Sequence, residues 1–319
     1  MRTIVNLATS VILLMHVPAA ASLQPHNKPI IVRATPLSPE EARQRAVDFV
    51  KSTGVANGQK QVARWAVPIC IKVIGISATQ AAKVENHMLG VAREAGVPTA
   101  LQGCEPNITV SFTADAGQIV RQVHEREPRQ FRELSSHGRE QLLNGTAPVR
   151  WWYATQMLDR DGMKGINATP GWLGTASTIQ QGGEQNSSAG IVSLDGGDFV
   201  STNQYNSGSN VRTPTIRSLY GATVVVDATA AGKTPVDSIA AYAAMIAFAE
   251  MSADAQPPDS ILGLFQPARG ESSLTDWDMA FLKSLYRMPL DRRARIQRGH
   301  LVEALLQERA PSGSQAANP

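Results

Sequence analysis

The residues with which this chain could do chemistry are its six histidines, its two cysteines and a scatter of hydroxyls and carboxylates. A catalytic zinc takes three protein ligands, and a helix commonly offers two histidines one turn apart. The histidines are His16, His26, His87, His124, His137 and His300, and no two of them stand three or four residues apart. No helix therefore presents a His pair to a metal. Gly-x-Ser-x-Gly, the turn that exposes a nucleophilic serine, does not occur. Of the phosphate-cradling Gly-x-x-x-x-Gly-Lys-Ser/Thr loop only the end is present, as Ala231-Gly232-Lys233-Thr234; Asp227 stands where the first glycine belongs. Without that glycine the nest of backbone N–H groups has no basis. The segment reads as a turn before a helix that starts at Thr234-Pro235.

The other polar and aromatic clusters have structural readings. Arg292-Arg293-Ala294-Arg295, with Arg298 and His300, reads as a solvated helix face. Trp151 and Trp152 are adjacent in an alternating segment. Neighbouring side chains of a strand point to opposite faces, so one ring is core and at most one is a binding platform. Cys70 lies on an expected strand, and Cys104 just before the next strand, after a helical crossover. An even cysteine count in an exported chain fits one disulfide between them.

The elements that must position these groups follow from composition and periodicity. The 319 residues are 43% apolar and 18% charged, with a net charge of +3. That is globular composition, and the charge is too small to argue for nucleic acid or an anionic membrane surface. Two cysteines exclude a disulfide scaffold and a four-cysteine zinc site.

Arg2, an apolar run centred on Val11-Ile12-Leu13-Leu14-Met15, Pro18, and Ala19-Ala20-Ala21 before Ser22 have the order of a secretory signal peptide. The expected cleavage falls between Ala21 and Ser22, with export to the periplasm or beyond. The apolar run is shorter than the ~20 residues of a membrane span. A second apolar stretch, 236–251, is also too short and contains Asp237 and Glu250. The mature chain is expected to have no membrane span.

Residues 22–60 read as a proline-rich N-terminal arm with one helix, for which Ser38 is the N-cap and Pro39 the first residue. Residues 61–309 read as the main domain. Trp65, Val67, Ile69, Ile71 and Val73 alternate as a strand, with Pro68 marking an edge or bulge. Helical spacing covers 78–95 and is closed by Gly96, strand alternation returns over 107–113, and Asp115 opens a helix through 126. Val149, Trp151 and Tyr153 alternate again. Residues 165–211 contain no Lys or Arg before Arg212 and are rich in Gly, Ser, Asn and Gln, a hairpin excursion or flap. Val224-Val225-Val226 reads as a central strand. Helices follow at 235–252, 275–287 and 290–309, with Thr275 and Asp278 forming a capping box, and 310–319 is a polar tail. The fold expected is α+β: a mixed sheet with helices gathered at its C-terminal end.

The C-terminal half resembles a known family. A strand leads to a helix over 237–250, then to Asp259-Ser260-Ile261-Leu262, then to Leu274-Thr275-x-Trp277-Asp278-x-x-Phe281-Leu282-x-x-Leu285-Tyr286. This succession is similar to that of zincin-like metallopeptidase domains, in particular a group of exported bacterial proteins related to them. The resemblance covers about residues 64–287 and is carried chiefly by 274–286. It implies a degenerate zincin-like architecture. In zincins the helix before the turn carries His-Glu-x-x-His; here it reads Tyr242-Ala243-Ala244-Met245-Ile246-Ala247-Phe248-Ala249-Glu250, without histidine. The resemblance thus implies the fold and argues against the activity, leaving no catalytic, metal or cofactor residue assigned. The chain is expected to be a catalytically silent binding or interaction module of the cell envelope, with a protein or envelope ligand as partner. The alternative is a peptidase-like hydrolase using Tyr242, Glu250 or Asp227 beside the 235–252 helix.

Overall fold

The computed structural model describes residues 37–55, 60–159, 162, 211–267 and 270–310. The expected signal segment with Ala21 and Ser22, the first part of the arm, nearly all of the 165–211 excursion and the tail beyond Ala310 lie outside the described residues. The chain divides into two compact units, Met1–Leu37 and Ser38–Pro319, and the fold described is that of the second.

Helix α1 (Pro39–Thr53) starts where its sequence says it must. The Ser38 side chain accepts from the Glu41 N–H, and the Glu41 carboxylate accepts from the Ser38 N–H at 2.8 Å. Gly54, at φ 72°, ends the helix in the left-handed conformation that glycine adopts without strain. Rather than standing in a separate arm, α1 buries Phe49 against Trp277 at 5.9 Å and Phe281 at 5.6 Å, inside the main core. Ala46, Phe49, Val50 and Thr53 make one buried face, and such a face needs a partner surface.

The sheet is built around β5 (Thr215–Asp227). Along one edge β5 pairs antiparallel with β4 (Val149–Asp159) over its whole length. Its other edge is shared: β1 (Arg64–Trp65) pairs parallel with Ser218 and Leu219, and β3 (Ile108–Thr113) pairs parallel with residues 222–227. β2 (Ile71–Ile74) pairs parallel with β3 on the outer side. The alternating stretch from Trp65 to Val73 is therefore two strands, not one. Pro68 has no N–H to give a ladder. Asn107 bridges the gap: its side chain accepts from Cys70 N at 2.7 Å and donates to Pro68 O at 3.0 Å. The chain thereby steps from β5 to the far side of β3. Within the β4–β5 pair Ala154 faces Gly221 and Thr155 faces Leu219, so Tyr220 is an extra bulge residue, 45% exposed.

Helices lie on both faces of the sheet. α2 (Ala78–Ala95) and α3 (Ala116–Arg126) are capped by Ser77 and Asp115. α4 (Ser136–Asn144) is capped by Ser135 and was not legible in the sequence, because Gly138 and a polar run mask its period. α5 (Ala228–Ala231), α6 (Val236–Phe248), α7 (Asp276–Arg287) and α8 (Ala294–Arg309) follow β5. The larger core joins Trp151, Tyr153, Val224 and Val226 to α1, α2, α6, α7 and α8. The smaller joins Trp152 and Val225 to α3, Phe131 and α4. The architecture is mixed α/β. The three helices expected after the last strand are there as α6, α7 and α8, with the short α5 before them, but α2 joins the parallel neighbours β2 and β3. Parallel neighbours cannot be joined by a hairpin and need such crossovers.

Cys70 and Cys104 form a disulfide, with Cα atoms 6.0 Å apart and a sequence separation of 34. No helix among the described residues is long and apolar enough to cross a membrane.

Candidate functional site

α6 is the element around which a site can be built. Every residue from Ser238 to Phe248 is buried, and Ala240, Ala241, Ala243, Ala244 and Ala247 let the helix pack closely into the larger core, against α2. A helix end leaves its last carbonyls without partners. α6 has no glycine cap, and here three aromatic side chains supply the donors. The Tyr153 hydroxyl donates to Ile246 O at 2.7 Å, Trp65 Nε1 to Ala247 O at 2.8 Å, and the Tyr286 hydroxyl to Phe248 O at 2.7 Å. Burial pushes the Tyr153, Tyr242 and Tyr286 phenols above the ordinary tyrosine range.

Tyr242, in the middle of α6, has a different situation. Its ring meets Trp151 edge-on at 6.3 Å and Phe265 edge-on at 5.3 Å. The residue is 7% exposed, yet among the described residues nothing hydrogen-bonds its hydroxyl. The one sealed side-chain polar atom without a partner among the described residues is Arg150 Nε. The Tyr242 hydroxyl is therefore not sealed, and it opens onto the cavity of about 570 Å³ that its residue lines. That volume is within the usual ~300–1,000 Å³ range of small-molecule sites.

Two backbone stretches and two aromatic rings form the walls. The backbone stretches are residues 145–151, the approach to β4 and its first three residues, and residues 253–256. Trp151 and Phe265 are the apolar surfaces beside Tyr242, and Gln141, Thr146, Gln256 and Gln266 are polar ones. Arg150 also lines the cavity, but its guanidinium is occupied. It donates to Leu142 O at 3.0 Å and to Gly145 O, at the C-terminal end of α4, where a positive charge is favourable. Burial, and then the nearby Arg121 charge, lower its proton affinity.

The other two sequence candidates are used elsewhere. Glu250 follows α6 and takes a two-pronged ion pair from Arg217, with Nη2 to Oε1 at 2.7 Å. Arg217 Nη2 also reaches Glu133 Oε2 at 2.9 Å, and Glu133 in turn accepts from Thr155 N at 2.9 Å. Burial would lower the Arg217 proton affinity, but Glu250 and Glu133 outweigh it and raise it. Asp227, at the end of β5, caps α5 through Ala230 N at 2.8 Å and pins the start of α3 through Ala116 N at 3.0 Å. Burial pushes its carboxyl up. Hydrogen bonds from the Ala230, Ala116 and Thr229 backbone, with the Arg150 charge, more than offset this and hold it below the usual range. The structure brings Tyr242 to the cavity and leaves Glu250 and Asp227 out of its lining.

The remaining sequence features fall in place around this frame. Trp151 and Trp152 do point to opposite faces, and both are buried, so neither is an open platform. The 292–295 run is less solvated than expected, because Arg292 is half-buried against Asp291. His124 lies 5.4 Å from the Phe131 ring, and His137 is 2.9 Å from Gln141 Nε2. Among the described residues no group of three or more His, Cys, Asp or Glu side chains comes together as a metal site. Glu133, Arg217, Arg150 and Gln266 carried no local signal. The first half of β5 has no clean alternation, since Ile216, Arg217, Ser218 and Leu219 are all buried in succession.

No family model matches the chain, and no curated protein or solved structure matches it either.

Proposed function

We propose that this chain is an exported, catalytically silent zincin-like domain that acts as a binding or interaction module of the cell envelope, with the cavity beside α6 as its binding place. The observation that carries this reading is the Tyr242 hydroxyl, without a hydrogen-bond partner among the described residues and open to that cavity. A polar group held in an apolar wall without a partner costs stability unless something else satisfies it. The carboxylates that a hydrolase would need beside it are committed to structure, Glu250 to Arg217 and Asp227 to two helix starts. The Cys70–Cys104 disulfide is compatible with an oxidising, exported location.

A thermal-shift screen of the purified protein against neutral, anionic and cationic small molecules and short peptides tests the reading. A ligand that binds only the folded state raises the melting temperature. The same ligand should fail to stabilise a Thr146→Trp variant, because Thr146 is an exposed residue on the cavity wall. Stabilisation that survives this substitution would place binding elsewhere. Peptide hydrolysis by the purified protein, lost in Tyr242→Phe, would establish the hydrolase instead.

A further inference from the structure

We infer that the cavity beside α6 continues into a second one and that together they form a groove for a neutral oligosaccharide; this deepens the binding-module reading and rests on it. The second cavity, of about 420 Å³, is lined by residues 256–260, Gly263, Gln266, Gly270 and Glu271. Gln256 and Gln266 line both cavities, so the two spaces meet along these side chains. Tyr242 lines only the first space and Glu271 only the second, so the joined groove offers two successive subsites. Two joined subsites suit a chain of linked units better than a single compact molecule.

The chemistry of the walls selects the class. A sugar hydroxyl both donates and accepts a hydrogen bond, and so does a carboxamide. The Gln256 and Gln266 amides have no hydrogen-bond partner among the described residues, and neither does the Tyr242 hydroxyl. Gln256 is exposed and Gln266 half-buried, so both can reach a bound molecule. The half-buried Phe265 ring, packed against Tyr242 and preceding Gln266 in the chain, offers an apolar surface for the C–H face of a pyranose.

Charge argues against an anion. Asp254 lines the first cavity, and Asp259 and Glu271 line the second. Arg150 is the only cationic lining residue among the described residues, and the carbonyls of Leu142 and Gly145 already hold it. Of these carboxylates Asp259 is paired with Arg45, which is thereby engaged, so a phosphate or uronate would meet Asp254 and Glu271 without a lining cation to offset them, whereas an uncharged polyol meets acceptors and donors.

Calorimetric titration of the purified, disulfide-bonded protein with tetrasaccharides tests this. N-acetylchitotetraose represents cell-wall-type glycans and maltotetraose a glucan. Tetragalacturonate and the deacetylated chitosan tetramer are the anionic and cationic counterparts. At least one neutral tetrasaccharide should bind saturably and tetragalacturonate should not. Tyr242→Phe and Gln266→Ala should each weaken binding about three- to tenfold with the melting temperature preserved, the loss of one hydrogen bond. The inference is overturned if neither neutral tetrasaccharide binds, if the cationic tetramer binds more tightly than both, or if binding ignores both substitutions. If sugars fail but another ligand stabilises the protein in a manner blocked by Thr146→Trp, the oligosaccharide falls and the binding module stands. If no ligand's effect depends on Thr146, both fall.

Discussion

The Ser260 hydroxyl donates to the Asp278 carboxylate, joining two sequence pieces that lie eighteen residues apart. Asp278 also accepts from Ile261 N at 2.8 Å, Thr275 N at 2.9 Å and the Thr275 hydroxyl at 3.0 Å. One fully buried carboxylate thus closes the capping box of α7 and fixes the turn after α6 that carries Leu262 to the cavity wall. The Ser260-Ile261-Leu262 and Leu274-Thr275-x-x-Asp278 pieces thus have a shared structural role in this chain.

Replacing Asp278 with Ala should lower stability by about 2–4 kcal/mol, since it leaves several buried donors without an acceptor. Burial raises the Asp278 carboxyl, and the Ser260, Ile261 and Thr275 hydrogen bonds offset this only in part, so its folded value stays above the ordinary 3.8. A raised folded value means that its contribution is full below 3.8 and declines as pH rises through the folded value. Asp278→Asn, which resembles the protonated form, should therefore lose less than Asp278→Ala and flatten this part of the pH profile. Urea unfolding at several pH values measures both effects.

Arg217 holds Glu133 and Glu250 together while its side chain is 10% exposed. Arg217→Ala should cost about 2–4 kcal/mol, because two carboxylates are left facing each other without a counter-charge. Glu250→Gln should cost less, since Glu133 still pairs with the arginine. If both variants unfold at the same denaturant concentration as the parent, the trio is only a surface contact.

Tyrosine-to-phenylalanine substitutions should separate two kinds of buried phenol. The Tyr153 hydroxyl donates to Ile246 O and accepts from Met251 N at 3.1 Å, so Tyr153→Phe should lose about 1–3 kcal/mol. Tyr242→Phe removes a hydroxyl with no hydrogen-bond partner among the described residues and should change stability by less than ~0.5 kcal/mol, or raise it. Both phenols have raised folded values, so their contribution is complete below the ordinary 10.0 and lost as pH rises through the folded values. Ultraviolet titration should show them ionising only with alkaline unfolding.

The Cys70–Cys104 bond closes a loop with a sequence separation of 34. In the chain-entropy model, its loss should lower stability by about 3–4 kcal/mol. Mass spectrometry after alkylation, with and without prior reduction, should find both thiols unreactive until reduced. A paired Cys70→Ser, Cys104→Ser variant with the parent's stability would contradict this.

What the sequence determined by itself was local. Ser38 with Glu41 and Thr275 with Asp278 set helix starts because an N-cap bonds within its own first turn. Gly96 sets a helix end because only its own backbone angle, φ 80°, is involved. The valine run of β5 announced a strand buried on both faces, and the absence of histidine from α6 was plain without any structure. Tertiary structure decided the rest. Whether Trp65 and Val73 belong to one strand depended on β3 inserting beside β5, and on the Asn107 side chain bonding Pro68 O and Cys70 N where the ladder is interrupted. Tyr242, Glu250 and Asp227 looked equivalent as polar residues near one helix. They were separated by partners distant in sequence: Arg217 for Glu250, Ala116 for Asp227, and for Tyr242 two aromatic rings that offer its hydroxyl no hydrogen bond. Local bonds repeat with a fixed period and leave a pattern in the sequence. A cavity is the space left between elements folded together, and no residue spacing encodes it.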